Sequence, residues 1–302
     1  LKGNGSPLYK AAAHLPIQGG KRMRPFLVIK ACQAVGGKVE DAVPAASAIE
    51  LLHSFTLIHD DIMDNDLLRR GVPTVHTLWG VPMAILAGDL LFAESLHVLL
   101  SGNGYPERLR RSAEILTRST IVLSEGQYMD MSFEFRADVS EEEYLDMVYR
   151  KTGALFQAAG EMGGIMGGGD ERSVELLGTY GRNMGIGFQI FDDYLGMTSS
   201  ENILGKSVGN DIREGKKTLI VIRAMQTPAR DHLLDILGKR DAPDLEIASL
   251  LELMKEHGVL DYVFSKAKNY VDKARTAIAE LPQSPTRATL LELADYAISR
   301  EK

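Results

Sequence analysis

The chain has 302 residues, 45% hydrophobic and 25% charged, the balance of a globular protein with a sizeable buried core. Its 41 acidic and 34 basic residues leave a net charge of −7, so no basic surplus offers a footprint for nucleic acid. A phosphate ligand must therefore be met by local cation clusters or through a metal. The lone cysteine, Cys32, excludes an intrachain disulfide and a thiolate metal cage. Among Val28, Ile29, Ala31, Ala34 and Val35 it reads as an inert core thiol, which fits a reducing cytoplasm. No apolar run reaches roughly 18 residues, so no transmembrane segment is expected. No signal peptide opens the chain, and because it begins at Leu1 its natural start is expected upstream.

In chain order, Gly19-Gly20-Lys21-Arg22-Met23-Arg24-Pro25 is a glycine turn with three cations, followed by an apolar helix with Pro25 in its first turn. Backbone N–H groups, the helix dipole and the cations all favour an anion there. Ser47 to Asp66 carries apolar residues at helical spacing. Within it His53, Thr56, Asp60 and Asp64 follow i, i+3, i+4 steps and share a face, with Asp61 about 100° away. Three carboxylates within five residues repel one another unless a cation sits between them. A hard divalent ion with oxygen ligands is the simple solution, whereas a solvated acidic helix end is the plain alternative. Arg69-Arg70-Gly71 follows this cluster.

Further helices are predicted over Met83 to Leu100, Arg110 to Met131, Ser140 to Met166, Glu171 to Met197 and Thr218 to Met225. Glycine- and proline-bearing turns separate them, and Asp170 is placed to cap the helix after Gly167-Gly168-Gly169. Strand-like alternation is nearly absent. Lys151-Thr152 interrupts one helix. Gly187 to Leu195, GFQIFDDYL, ends another with the pair Asp192-Asp193, and Gln189 lies within a helical turn of both. Gly178, Gly181, Gly185 and Gly187 would let a neighbouring helix approach closely, at a cost in helix propensity. Two Asp pairs, each ending an apolar run, suggest two walls of one metal-filled cavity. The polar stretch Thr198 to Lys217, too long for an idle loop, reads as a substrate-covering lid. It ends on Lys216-Lys217. Beyond Met225, Asp231 to Leu237 and Leu245 to Met254 are amphipathic and structural. With no linker and no repeat, the economical reading is one helical domain over residues 1–302.

The blocks GGKRMRP, ELLHSFTLIHDDIMDNDLLRRGVPTVH, SEGQYMD, KTGALF and GFQIFDDYLG…GKSVGNDIREGKKT resemble, in order and spacing, the trans-isoprenyl (polyprenyl) diphosphate synthases, with an archaeal geranylgeranyl type as the nearest pattern. The resemblance runs from about Leu8 past Met225. It implies an all-α bundle around a deep central cavity, usually a homodimer. It implies Mg²⁺, three ions with substrate bound, held by Asp60, Asp61 and Asp64 and by Asp192 and Asp193. Lys21, Arg24, His53 and Arg70 resemble the residues that hold isopentenyl diphosphate; Arg69, Lys151, Lys206 and Lys216 resemble those that contact the allylic diphosphate. Gln127 and Asp130 resemble groups behind the metals, and Thr152 and Gln189 those that steady the developing cation. The implied reaction is ionisation, condensation and elimination, without a protein nucleophile. One departure is Gly196, where the family commonly has a third Asp; Asp211 is the candidate to supply that charge.

Phe55 lies five residues before Asp60, about 7.5 Å along the axis, beside the smaller Thr56 and near Leu52. With no insertion in Asp60-Asp61-Ile62-Met63-Asp64, this resembles the archaeal pattern for a C20 product, with C15 and C25 as alternatives. Three rivals are a class I terpene cyclase, which has no need of the Lys21/Arg24/His53/Arg70 set, a metal-dependent phosphohydrolase built on His59-Asp60, and a catalytically silent subunit of a heteromeric synthase.

Overall fold

A computed structural model describes residues 5–102, 105–198 and 209–299. These residues are almost wholly helical, as expected, and fall into two compact units: Leu1–Thr117 with Ala158–Gly178, and Arg118–Gln157 with Thr179–Lys302.

The first unit contains α1 (Pro7–Ile17), α2 (Met23–Ala34), α3 (Val39–Met63), α4 (Val75–Trp79) and α5 (Val81–Leu100). It also holds the start of α6 (Pro106–Phe133), most of α8 (Ala154–Met166) and the first turns of α9 (Glu171–Thr198). α3 buries Ala42, Ala45, Ala48, Ile49 and Leu52, and these small residues let α2 and α5 lie close along it. A Cβ at Gly88 would collide with the His59 imidazole, so α5 reaches α3 there only because residue 88 is glycine.

α3 stops three residues short of the expected Asp66. Asp64 is its C-cap and Asn65 turns left-handed (φ 56°), the conformation that ends a helix and that asparagine tolerates. Two short strands follow, β1 (Leu68–Arg69) and β2 (Val72–Pro73), paired Leu68 to Pro73 and Arg69 to Val72. Their two-residue loop has positive φ at both Arg70 (54°) and Gly71 (75°), as a type I′ hairpin requires. The hairpin is too short for periodicity to reveal. By length and composition α5 is apolar enough to cross a membrane, despite Asp89 and Glu94, although α1, α3 and α4 pack on it.

The second unit holds the rest of α6, α7 (Glu141–Val148), a π-helical turn (Tyr149–Gly153), the first turn of α8 and the C-terminal two-thirds of α9. It continues with α10 (Asn210–Glu214), α11 (Leu219–Ala224), α12 (Arg230–Ile236), α13 (Asp244–Glu256), α14 (Val259–Ala277) and α15 (Pro285–Ser299). α10 sits inside the stretch read as a lid. Ser140 and Glu143 form a capping box at α7: the Glu143 N–H donates to the Ser140 hydroxyl at 3.2 Å, and the Ser140 N–H to the Glu143 carboxylate at 2.9 Å. The glycine pattern of α9 has the expected use. A Cβ at Gly185 would lie 2.8 Å from the Phe156 ring, and one at Gly187 3.0 Å from the Ala267 carbonyl on α14. Asp170 caps α9 as predicted, accepting from the Ser173 N–H at 2.8 Å.

Candidate active site

In the first unit, Asp60, Asp61 and Asp64 occupy the last turn of α3 and its cap, a turn with no basic residue. Carboxylates at a helix C-terminus face the negative end of the macrodipole, so this placement is unfavourable without an external cation. The hairpin folds Arg69 back onto the cluster. Its guanidinium pairs with Asp61 and reaches Asp66 at 3.5 Å and Asp60 at 3.7 Å. Asp61 is 1% exposed, and burial pushes its carboxyl up to about 6 even though Arg69 pulls the other way; Asp60 and Asp66 add to the rise.

The glycine turn gathers cations around His53 on the same unit. Gly19, Gly20 and Arg22 all have positive φ (83°, 129° and 49°), and α2 begins at Met23 without a side-chain cap. Arg24 lies 3.1 Å from His53 Nε2 through its Nη1. A guanidinium can only donate, so that ring nitrogen presents its lone pair and the imidazole is neutral. Burial, followed by the charges of Arg24, Arg70, Arg69 and Arg22, holds His53 well below its usual range. His53 therefore lies beside Arg24 as a neutral group. Burial also pulls Arg24 down to about 9, the mark of a desolvated cation that an anion would stabilise. Arg70 donates to the carbonyls of Gly19 and Leu15, while Arg22 is committed to Glu50 and the Pro16 carbonyl. Lys21 is exposed on the turn.

Phe55 packs edge-on against His59 (4.8 Å between ring centres) and beside Phe92 of α5 (5.6 Å). Leu52 is fully buried, and the Thr56 hydroxyl donates back to the His53 carbonyl at 2.9 Å.

In the second unit, Thr152, Gln189 and Asp193 are joined in series. The Thr152 hydroxyl donates to Gln189 Oε1 at 2.9 Å, and Gln189 Nε2 donates to Asp193 Oδ1 at 2.9 Å. Tyr144 completes the series by donating its hydroxyl to Asp193 Oδ2 at 2.6 Å. Burial, then the charge of Asp211, pushes Asp193 up to about 7, with Asp192 adding to the rise. Lys151 pairs with Asp130 at 2.5 Å. Gln127 stands one turn before Asp130 on α6. Lys216 pairs with Glu214 at 2.9 Å. Lys206 lies outside the described residues. The Gly196 position is informative: a Cβ there would lie 3.6 Å from Asp211 Oδ2, and the Gly209 N–H donates to the Gly196 carbonyl at 3.2 Å. Asp211 thus brings its carboxylate from α10 to the place where a third Asp on α9 would stand.

Among the described residues no three His, Cys, Asp or Glu side chains converge tightly enough to hold an ion unaided. The donors nevertheless fit Mg²⁺. They are carboxylate oxygens, buried ones among them resist ionisation, and Mg²⁺ takes one or two carboxylates and completes its shell with water and phosphate. Tyr144 and the structural role of Arg22 escaped the sequence reading. Tyr144 lies eight residues before Thr152, out of phase on an α-helix, and only the π turn aligns them.

The sequence profile of the family described as polyprenyl synthetase matches residues 6–254. A geranylgeranyl diphosphate synthase from Methanosarcina mazei is 45% identical over 97% of this chain and 90% of its own length. The crystal structure of a geranylgeranyl pyrophosphate synthetase from Pyrococcus horikoshii superposes with a TM-score of 0.92 at 44% identity, covering 97% of this chain and 90% of that one. A polyprenyl synthase from Caulobacter crescentus, solved with calcium and isoprenyl diphosphate, is similar with a TM-score of 0.90 at 34% identity, over 99% and 90% of the two chains.

Proposed function

The chain belongs to the polyprenyl synthetase family, and from that premise we propose that it condenses isopentenyl diphosphate head-to-tail with allylic diphosphates to give all-trans geranylgeranyl diphosphate. It acts as a single catalytic domain, as a homodimer and in the cytoplasm. The carrying observation is the pairing, on one helix, of an anion pocket around His53 and an acidic cluster at Asp60. Seven residues of α3 separate them, about 10 Å along the axis, a spacing that suits two diphosphates meeting in register.

In this reading Lys21, Arg24 and Arg70 clamp isopentenyl diphosphate, with neutral His53 orienting Arg24. Asp60, Asp61 and Asp64 hold Mg²⁺ for the allylic diphosphate, while Asp192 and Asp193, with Asp211 in place of the missing third Asp, hold a further ion of an expected three. When bound, the divalent ions neutralise the charge that develops on the departing diphosphate. Arg69, Lys151, Lys206 and Lys216 add cationic contacts to that leaving group. Thr152 and Gln189 present oriented oxygens to the allylic carbon as the C1–O bond breaks. The double bond of isopentenyl diphosphate forms the new carbon–carbon bond, and the proton lost from the adjacent carbon leaves with diphosphate. Gln127 and Asp130 act from behind, Asp130 through Lys151. Phe55, backed by Phe92 and flanked by Thr56 and Leu52, closes the chain-length floor. Exposed Val81, Ile85 and Leu86 on α5 are the apolar surface that a second copy would cover.

The test is an incubation of purified protein with labelled isopentenyl diphosphate, Mg²⁺ and dimethylallyl, geranyl or farnesyl diphosphate, followed by dephosphorylation and sizing. A dominant C20 alcohol supports the proposal. C15 or C25 keeps the chemistry and moves the floor, whereas no elongation with any primer refutes the reading for this chain.

A further inference from the structure

Asp193 is held at both oxygens, and the two donors reach it from different parts of the second unit. Gln189 belongs to α9 itself and is aimed by Thr152; the hydroxyl on Oδ2 comes from Tyr144, a fully buried residue on α7. In an uninterrupted α-helix the eight residues from Tyr144 to Thr152 would leave their side chains about 80° apart. The π turn at Tyr149–Gly153 underwinds the chain on the way to Thr152, which brings the two side chains closer to one face. A π turn is rare and occurs mostly as a single-turn bulge, frequently at a functional site. Here it lets one helical segment grip both ends of the Gln189–Asp193 pair. The phase of α7 is set one residue before Tyr144 by the Ser140–Glu143 capping box, with Arg136 pairing to Glu143 at 2.7 Å.

We infer that Tyr144 is a positioning residue for the second acidic motif: through the π turn its hydroxyl fixes the rotamer of Asp193 so that the motif meets its metal ion without reorganisation. This rests on the proposed prenyl-transfer function. Tyr144 touches no substrate in this scheme and acts only through Asp193. Its contribution therefore falls on metal engagement and not on isopentenyl diphosphate binding.

The test is Tyr144→Phe, which keeps the ring and removes the hydroxyl. Two readouts are compared with wild type: the Mg²⁺ dependence of prenyl transfer, and calorimetric binding of Mg²⁺ with inorganic diphosphate to the resting enzyme. Loss of a hydrogen bond to a carboxylate predicts a Mg²⁺ midpoint raised about 10-fold and a parallel weakening of Mg²⁺–diphosphate binding. The KM for isopentenyl diphosphate stays near wild type. In an Asp193→Asn background Tyr144→Phe adds little, because both changes break the same contact. An unchanged Mg²⁺ midpoint, or full additivity with Asp193→Asn, overturns the inference. If circular dichroism finds Tyr144→Phe misfolded, Thr152→Val carries the same test from the other end of the series, with a smaller shift expected and no shift overturning it. A wild-type enzyme that elongates no primer refutes the proposed function instead, and the calorimetric comparison still decides the role of Tyr144.

Discussion

Gly20→Ala isolates the geometry of the anion pocket. Residue 20 has φ 129°, where an L side chain is strained, and its Cβ would lie 2.8 Å from Arg70 Cζ and Nη2 and 3.0 Å from Nη1. The guanidinium must withdraw, and its hydrogen bonds to the carbonyls of Gly19 and Leu15 go with it. A charged hydrogen bond contributes about 1.5–3 kcal/mol when shielded, but Arg70 is exposed, so about 1–2 kcal/mol of lost pocket organisation is reasonable. That corresponds to a rise of about 5- to 30-fold in KM for isopentenyl diphosphate. kcat should change little, because the contact is made equally in ground and transition states. Gly19→Ala is the control: it carries a similar backbone strain (φ 83°), yet nothing lies within 4 Å of its Cβ. Steady-state kinetics at saturating allylic primer separate the two. Equal KM values for Gly19→Ala and Gly20→Ala would refute the argument, since backbone strain alone would then account for both.

Phe55→Ala should lengthen the product by at least one isoprene unit and destabilise the fold by less than the about 3–5 kcal/mol of a fully buried aromatic, since Phe55 is only partly buried; product sizing with thermal melts checks both, and an unchanged length distribution removes Phe55 as the floor. Asp61 and Asp193 titrate at about 6 and about 7 in the fold, above the ordinary carboxylate range. Raised folded pKa values contribute stability that is fully present below the ordinary carboxylate value and lost as pH climbs through the folded ones, so the metal-free melting temperature should fall from about pH 4 to about pH 7 and level off above. Mg²⁺ should restore more of it at the upper end; equal Mg²⁺ stabilisation at both ends would contradict this. Gly196→Asp should not raise activity, because it sets a second carboxylate beside Asp211; a gain in turnover at limiting Mg²⁺ would show that Asp211 does not fill that role.

The helical class was legible because apolar residues recur at the helical period over long stretches, and α6 and α9 ended within a few residues of the predicted limits. The acidic pairs and the basic glycine turn were legible for a related reason. Charges this dense at the ends of apolar runs are costly, and sequence alone reveals where such a cost is concentrated. Hairpin β1–β2 and the left-handed stop at Asn65 were not, since two-residue strands have no period.

What the sequence determined by itself was the inventory: which residues carry charge, which helices bear them, and which family pattern they follow. Only the tertiary structure decided their states. His53 is neutral because burial desolvates it, Arg24 donates to it and other arginines crowd it. The Asp211 carboxylate lies beside the Gly196 position because α10 returns it there, and Tyr144 donates to Asp193 from a helix that runs into a π turn. Protonation and orientation depend on neighbours distant in sequence. They are set by burial and by hydrogen-bond distances of about 3 Å, which local spacing does not encode.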